Sequence, residues 1–392
     1  MRELRVELPA PAGEMAQEEI RKQVPFLSPC IGNVAFREDG SAIVCELSSE
    51  PERNLETEIL QLASRIQRGL RGLQRRVLYQ SPSMASSDFP PPGDIPGVHF
   101  LGRGQVSLSG QALGLFHYFD RRFREFGECW MPQEVLTPTL IPAEVLGRCD
   151  YFRSFPQNVT FACHLEGEAA VIDRFRSRHA TANALDGESI RDMATPEACL
   201  SPAVCYHIYH MYQGQTLAEP LRVHGICGRC FRYESANISD LRRLWDFTLR
   251  EIVFLGSRKA VLAERDAAIE RFPRFLEEHR LEGEIRTASD PFFVAPDSVA
   301  KTYFQLSAET KYEVSLPLAG GERLAAASFN YHTDFFGRAF NVAVQHEGPM
   351  HSVCIGFGLE RWVYAFVAQH GMLVEGWPDC VRYAPELANA PR

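Results

Sequence analysis

Between Gly228 and Gly256 the chain reads GRCFRYESANISDLRRLWDFTLREIVFLG, with charged side chains standing inside apolar runs. Arg232, Glu234, Arg243 and Glu251 are expensive to place in a sheet interior unless each meets a partner or a ligand. Two apolar runs, Cys230-Phe231 with Tyr233 and then Phe247 to Leu255, flank a polar turn at Ser235 to Asp240. That pattern predicts two strands joined by a loop. Residues two apart on a strand share a face, so Arg232 and Glu234 can meet a single bound molecule, or simply pair with each other. Arg243, Phe247 and Glu251 recur every four residues, which suits one face of a helix and, in a strand, also one face.

The elements that must carry these residues follow from composition and periodicity. With 392 residues and 45% hydrophobic content, the chain is long enough for two or three domains and a sizeable core. The opening MRELRVELP is too charged for a signal peptide, and no apolar run reaches about 18 residues, so a cytoplasmic address is expected. Eleven cysteines, an odd number, suggest thiols or metal ligands rather than a disulfide framework. A net charge of −9 argues against a large nucleic-acid footprint.

Residues 1–80 predict a small α/β unit of order βαββαβ, which suggests a ferredoxin-like sandwich. Its expected parts are a strand at Leu4 to Leu8, a helix at Glu14 to Val24, a hairpin across Asp39-Gly40, a helix at Leu55 to Arg76 and a strand at Val77 to Tyr79. On the long helix Arg65, Arg68, Arg71, Arg75 and Arg76 form a stripe, read as a solvated face or as a docking surface for an acidic partner. Residues 81–97, SPSMASSDFPPPGDIPG, have the composition of a linker. Residues 98–392 form the main unit, with helices expected at Ser109 to Phe126 and Arg258 to His279.

FRYE, a loop, then R-x-x-x-F-x-x-x-E resembles motif 2 of class II aminoacyl-tRNA synthetases, the seryl type in particular. SVCIGFGLERWVYAF at 352–366, with Gly356, Gly358 and Arg361, resembles motif 3. Two motifs in the right order are a far stronger signal than a lone GxG. Cys129 to Ile141 resembles the motif 1 strand through which such domains dimerise, so a homodimer is expected. The resemblance covers about residues 98–385 and implies an α+β fold: an antiparallel sheet flanked by helices, with the small ferredoxin-like domain in front.

The resemblance implies that Arg232 and Arg361 are catalytic. Arg232 would polarise the α-phosphate of ATP, where a fixed guanidinium stabilises charge that grows in the transition state. Glu234 would accept from the adenine amino group, and Phe247 and Arg361 would sandwich the ring. Arg243, or its neighbour Arg242, would complete the nucleotide site. Arg361 capping the C-terminal part of its helix is the structural alternative. Seryl enzymes carry a magnesium-binding Glu where this chain has Ala325, so Ser328, Asn330 or Glu322 would have to contribute to Mg2+ held with ATP.

The resemblance also brings Cys205, Glu251 and Cys354 together under the amino-acid pocket. Two thiolates and a carboxylate suit Zn2+ with a fourth position left for a substrate amine. This pattern occurs in the atypical archaeal seryl-tRNA synthetases and in the truncated amino acid:[carrier protein] ligases. Asn330 is a further substrate-binding candidate. Buried cysteines are the bland reading of Cys205 and Cys354. Cys227 and Cys230, in CGRC, lack a second CxxC and are expected to pack on the motif 2 strand; His207, His210 and Cys199 are expected to shape the pocket or surface.

What these features imply is an adenylate-forming ligase that activates a small amino acid, glycine or alanine, and passes it to the phosphopantetheine thiol of an acyl carrier protein. The missing helical tRNA-binding arm argues against tRNA. Two alternatives stand beside it: a seryl-type synthetase acting on tRNA, and an inactive paralogue with a regulatory or binding role.

Overall fold

The computed structural model describes all residues except 1, 52, 85–88, 183, 235–237, 239, 294–297 and 389–392. An eight-stranded sheet organises the main unit. Its order is Val77–Gln80, Glu284–Thr287, Lys311–Pro317, Arg323–Tyr331, His351–Gly358, Asp246–Gly256, Leu221–Phe231 and Gln133–Val135. Every neighbouring pair is antiparallel except the last.

Strand alternation gives the sheet two unlike faces. Tyr312, Val314, Phe329, Val353, Ile355, Phe357, Ile252 and Phe254 point to one side, where they pack with helices Gly110–Gly127, Arg258–Glu278 and Leu359–His370. Aromatic stacking tightens this layer: Phe123 lies 4.1 Å from Phe357 and 5.0 Å from Phe275 between ring centroids. The other face carries Lys311, Glu313, Ser328, Asn330, Cys354, Gly356, Glu251 and Phe247, and it floors a cavity.

Under the helical layer, fully buried His279 donates from Nδ1 to the Phe275 carbonyl at 2.7 Å and accepts from Tyr118 Oη at Nε2, 2.8 Å away. Burial lowers its pKa to about 4. In the unfolded chain the same ring titrates near 6.5, so that state takes up the proton first and stability falls as pH drops from about 6.5 to about 4. Urea unfolding at pH 7.5 and 5 is expected to show this loss, about 2 kcal/mol from His279 over that interval. The loss should be smaller in a His279→Gln variant; an identical pH dependence in the two proteins would refute the assignment.

The N-terminal unit departs from expectation at its end. Strands Arg2–Glu7, Ala42–Leu47 and Ile31–Phe36 form a three-stranded antiparallel sheet with Ala42–Leu47 in the centre, packed on helices Glu14–Gln23 and Leu55–Gly69. The sixth element of the expected sandwich, Val77–Gln80, instead pairs with Glu284–Thr287 at the edge of the large sheet. The helix expected to reach Arg76 stops at Gly69, and Gly72 follows at a φ of +82°. Arg71, Arg75 and Arg76 thus lie beyond it, with Arg75 paired to Glu18 and Arg76 to Glu309, so only Arg65 and Arg68 of the stripe stay on the helix.

The long strand expected over Cys129 to Ile141 is also broken. Gln133–Val135 runs parallel to Leu221–Phe231, whereas Leu140–Pro142 pairs with Ala198–Leu200 in a separate small sheet. Pro138, between the two pieces, explains the interruption, because it removes a donor that a continuous ladder needs.

Candidate active site

Leu221–Phe231 and Asp246–Gly256 form the two long strands of motif 2, in a register that sets Cys230 opposite Phe247 and Ile226 opposite Glu251. Arg232 and Glu234 lie just past the first strand, and Arg243 lies before the second. The turn residues 235–237 and 239 lie outside the described residues. Arg232 Nε donates to the Pro202 carbonyl at 3.0 Å, and its guanidinium stands 5.4 Å over the Phe247 ring. One face of Phe247 is therefore shared with Arg232. Glu234 faces Arg243 at 3.4 Å rather than Arg232.

Arg361 stands in the first turn of helix Leu359–His370, which rules out its capping the C-terminal part. Its Nε donates to the Arg242 carbonyl at 2.8 Å and its Nη1 to the Ala325 carbonyl at 2.9 Å, tying the motif 2 loop to strand Arg323–Tyr331. Glu360, its neighbour, accepts from the Thr248 amide at 2.9 and 3.0 Å and from Thr248 Oγ1 at 2.9 Å. Strand His351–Gly358 has just ended there, and this carboxylate takes over the ladder bond that Thr248 would otherwise lose.

Arg232, Glu234, Arg242, Phe247 and Arg361 line one cavity of 680 Å³ together with Cys205, Glu251, Cys354 and Asn330. Arg243 is not among its lining residues; Arg242 is, ion-paired to Asp240 at 2.7 Å and also to Glu322. Glu322 itself does not line this cavity, so of the three alternatives for Ala325 only Ser328 and Asn330 do. Asn330 Nδ2 donates to Ser328 Oγ at 2.9 Å.

Sheet register brings the Cys/Glu/Cys set together. Cys354 lies opposite Val253, and Glu251 opposite Gly356, so the two side chains are diagonal neighbours on one face. Cys205 opens the short helix Cys205–Met211, and its amide donates to Glu251 Oε2 at 2.8 Å. The ligand atoms of the three residues lie within 4.8 Å of one another, and all three residues are buried. Gly356 keeps the floor beside them low: a Cβ there would touch Glu251 Oε1 and Ser328 Oγ, each at 3.7 Å.

Three acidic groups crowded in a buried place resist losing their protons together. Burial raises the Glu251 pKa. Contact with Cys205, then burial, pushes the Cys354 thiol well up. For Cys205 the bond with Cys354 works downward, but burial and Glu251 outweigh it. A divalent cation placed among them would reverse all three preferences.

CGRC does not form a site. Cys227 and Cys230 are three apart on one strand and so face opposite sides, Cys227 against the helical layer and Cys230 in the core under the cavity. Neither His207, His210 nor Cys199 joins the trio among the described residues. Sequence reasoning passed over Asp290, Lys311, Glu313 and Glu360, which also line the cavity. The alternation of charge and apolar residues in KYEVSLP was the available signal. Burial opposes the charge on Asp290, but Lys311 holds its pKa down at about 2.

No family profile matches this chain. It is 33% identical over 261 residues to amino acid–[acyl-carrier-protein] ligase 2 of Bradyrhizobium diazoefficiens, an alignment covering 65% of this chain and 75% of that protein. It is 25% identical over 305 residues to the type-2 serine–tRNA ligase of Methanothermobacter thermautotrophicus, covering 75% of this chain but 58% of that protein. Among solved structures, the M. kandleri seryl-tRNA synthetase in complex with A. aeolicus tRNASec aligns over 100% of this chain and 79% of its own, with a TM-score of 0.68 and 20% identity. The seryl-tRNA synthetase of Pyrococcus horikoshii complexed with ATP aligns over 73% of this chain and 59% of its own, with a TM-score of 0.54 and 15% identity. With the class II seryl-tRNA synthetase fold in place and a ligase matched over three quarters of its length, the chain belongs to the amino acid–[acyl-carrier-protein] ligases, a family of adenylate-forming enzymes of the class II synthetase type.

Proposed function

We propose that the protein activates a small amino acid, glycine or alanine, with ATP and transfers it to the phosphopantetheine thiol of an acyl carrier protein. One observation supports this reading above all: Arg232 and Arg361 share a single cavity with the Cys205, Glu251 and Cys354 trio. Phosphate-binding guanidinium groups and an amine-binding metal site are the two halves of an amino-acid activation site.

In the activation step the amino-acid carboxylate attacks the α-phosphorus and pyrophosphate leaves. Arg232 bears on the α-phosphate, Arg361 reaches from the far wall, Glu234 accepts from the adenine amino group, and Phe247 offers the ring its face turned from Arg232. Arg243 acts from the rim through Glu234, and Arg242 is the nearer cation. Cys205, Glu251 and Cys354 fit zinc by donor type and spacing; when bound, the ion supplies a Lewis-acid position for the uncharged substrate amine. Asn330 and Ser328 line the floor beside it and offer oxygen atoms toward Mg2+ carried in with ATP. In the transfer step the carrier thiolate attacks the carbonyl carbon; the C–S bond forms as the C–O bond to AMP breaks. A homodimer through the Gln133–Val135 edge, a cytoplasmic setting and a thiol rather than tRNA acceptor complete the reading.

The test is ATP–pyrophosphate exchange with a panel of amino acids on purified protein, with zinc measured in the same preparation. The expected result is exchange with one small amino acid and about one zinc per chain. Exchange with none of them would refute the reading. Labelled amino acid is then offered to a phosphopantetheinylated carrier protein and to tRNA, and charging of tRNA alone would favour the synthetase alternative.

A further inference from the structure

The chemistry above leaves one buried cluster unused, where the N-terminal unit meets the main one. Helix Glu14–Gln23 turns Glu19, only 2% exposed, toward the large unit. The Glu19 carboxylate accepts from Ser289 Oγ at 3.1 Å, Thr302 Oγ1 at 3.5 Å and Gln23 Nε2 at 2.6 Å. Lys22 Nζ donates to the Ser289 carbonyl at 3.2 Å and pairs with Glu18 at 3.1 Å. Burial works against the Lys22 charge, and Glu18, Glu19 and, from the cavity wall, Glu313 more than offset it. Helix Leu55–Gly69 packs on the same region so closely that a Cβ on Gly69 would fall 2.0 Å from Val299 Cγ1.

These contacts converge on two pieces of the cavity wall. Ser289 precedes Asp290, whose amide donates to Gln305 Oε1 at 2.7 Å and whose carboxylate accepts from Gln305 Nε2 at 2.7 Å and from Lys311. Thr302 sits on the same helix as Gln305, Ser298–Ser307. Asp290, Gln305 and Lys311 line the cavity, and Lys311 stands in one cross-strand row with Asn330 and Cys354. A buried carboxylate that satisfies several donors resists displacement, because each donor left behind would lose its partner.

We propose that the N-terminal unit braces the amino-acid end of the cavity, with Glu19 and Lys22 as positioning residues that hold the Asp290, Gln305 and Lys311 wall in place. The inference rests on the reading that the amino acid binds beside Cys354. It gives this unit a part in substrate binding without any external partner.

Full-length wild type is compared with Glu19→Ala, Glu19→Gln and Lys22→Met in two measurements. In exchange kinetics, Glu19→Ala is expected to raise KM for the amino acid roughly tenfold while KM for ATP moves less than about twofold. Glu19→Gln, which keeps an acceptor oxygen for Ser289, should restore most of that loss, and Lys22→Met should act in the same direction as Glu19→Ala. In amide hydrogen exchange, residues 284–290 and 298–307 should lose protection in Glu19→Ala while His351–Gly358 keeps it. Unchanged KM and protection in Glu19→Ala and Lys22→Met would overturn the brace, as would a fall in kcat alone or a uniform loss of protection. If wild type activates no amino acid, the functional reading fails, and the hydrogen-exchange comparison decides the brace by itself.

Discussion

Replacing Cys354 with serine is expected to remove zinc from the purified protein and to lower amino-acid-dependent ATP–pyrophosphate exchange by roughly 1,000-fold or more. Serine fills nearly the same space in strand His351–Gly358, so the fold should persist. What is lost is a thiolate, and a neutral hydroxyl is a poor ligand for zinc. Metal content by elemental analysis, exchange rate and melting temperature on one preparation decide the matter. Exchange that survives without metal would sink the zinc assignment. A melting temperature that collapses with activity would show that the thiol serves packing instead.

Arg232→Ala is expected to reduce exchange roughly 100- to 1,000-fold while zinc content stays at the wild-type level. That split separates it from the Cys354 variant and locates the defect in the nucleotide half of the cavity. Arg232 is held before any substrate arrives, by the Pro202 carbonyl and the Phe247 ring, so its charge needs little reorganisation when the α-phosphate develops its own. Arg232→Lys should recover only a small part of the loss, since a lysine cannot present a planar fork of donors or stack on the ring in the same way. The measurement is kcat/KM for exchange at saturating amino acid. A variant within about tenfold of wild type would reassign Arg232 to a structural role.

Much of this site was legible in the chain alone because its residues sit on single elements. Phe247 and Glu251 are related by strand spacing, Arg232 and Glu234 follow directly on the end of the preceding strand, and a charged residue inside an apolar run demands a partner wherever the strand goes. Gly356, Gly358 and Arg361 were legible for the same reason, as a strand leading directly into a helix. Local punctuation misled where it was weighed against a pattern: Gly69 and Gly72 end the second helix of the N-terminal unit before the arginine stripe is complete, and Pro138 breaks the strand expected between Cys129 and Ile141.

By itself, then, the sequence determined which side chains share a face, where the two motifs lie, and the donor types of the candidate metal set. Only the tertiary structure decided who faces whom. The diagonal of Glu251 and Cys354 depends on the register between two strands about a hundred residues apart, and alternation within one strand carries no information about its neighbour. The same holds for Asp290, Lys311 and Glu313, which look like ordinary surface charges until the sheet folds them into a cavity wall. It holds again for Val77–Gln80, whose four residues suit either sheet; pairing with Glu284–Thr287 joins the N-terminal unit to the main one. Strand pairing is a long-range choice set by burial on both faces, and the chain records only its own half of each pair.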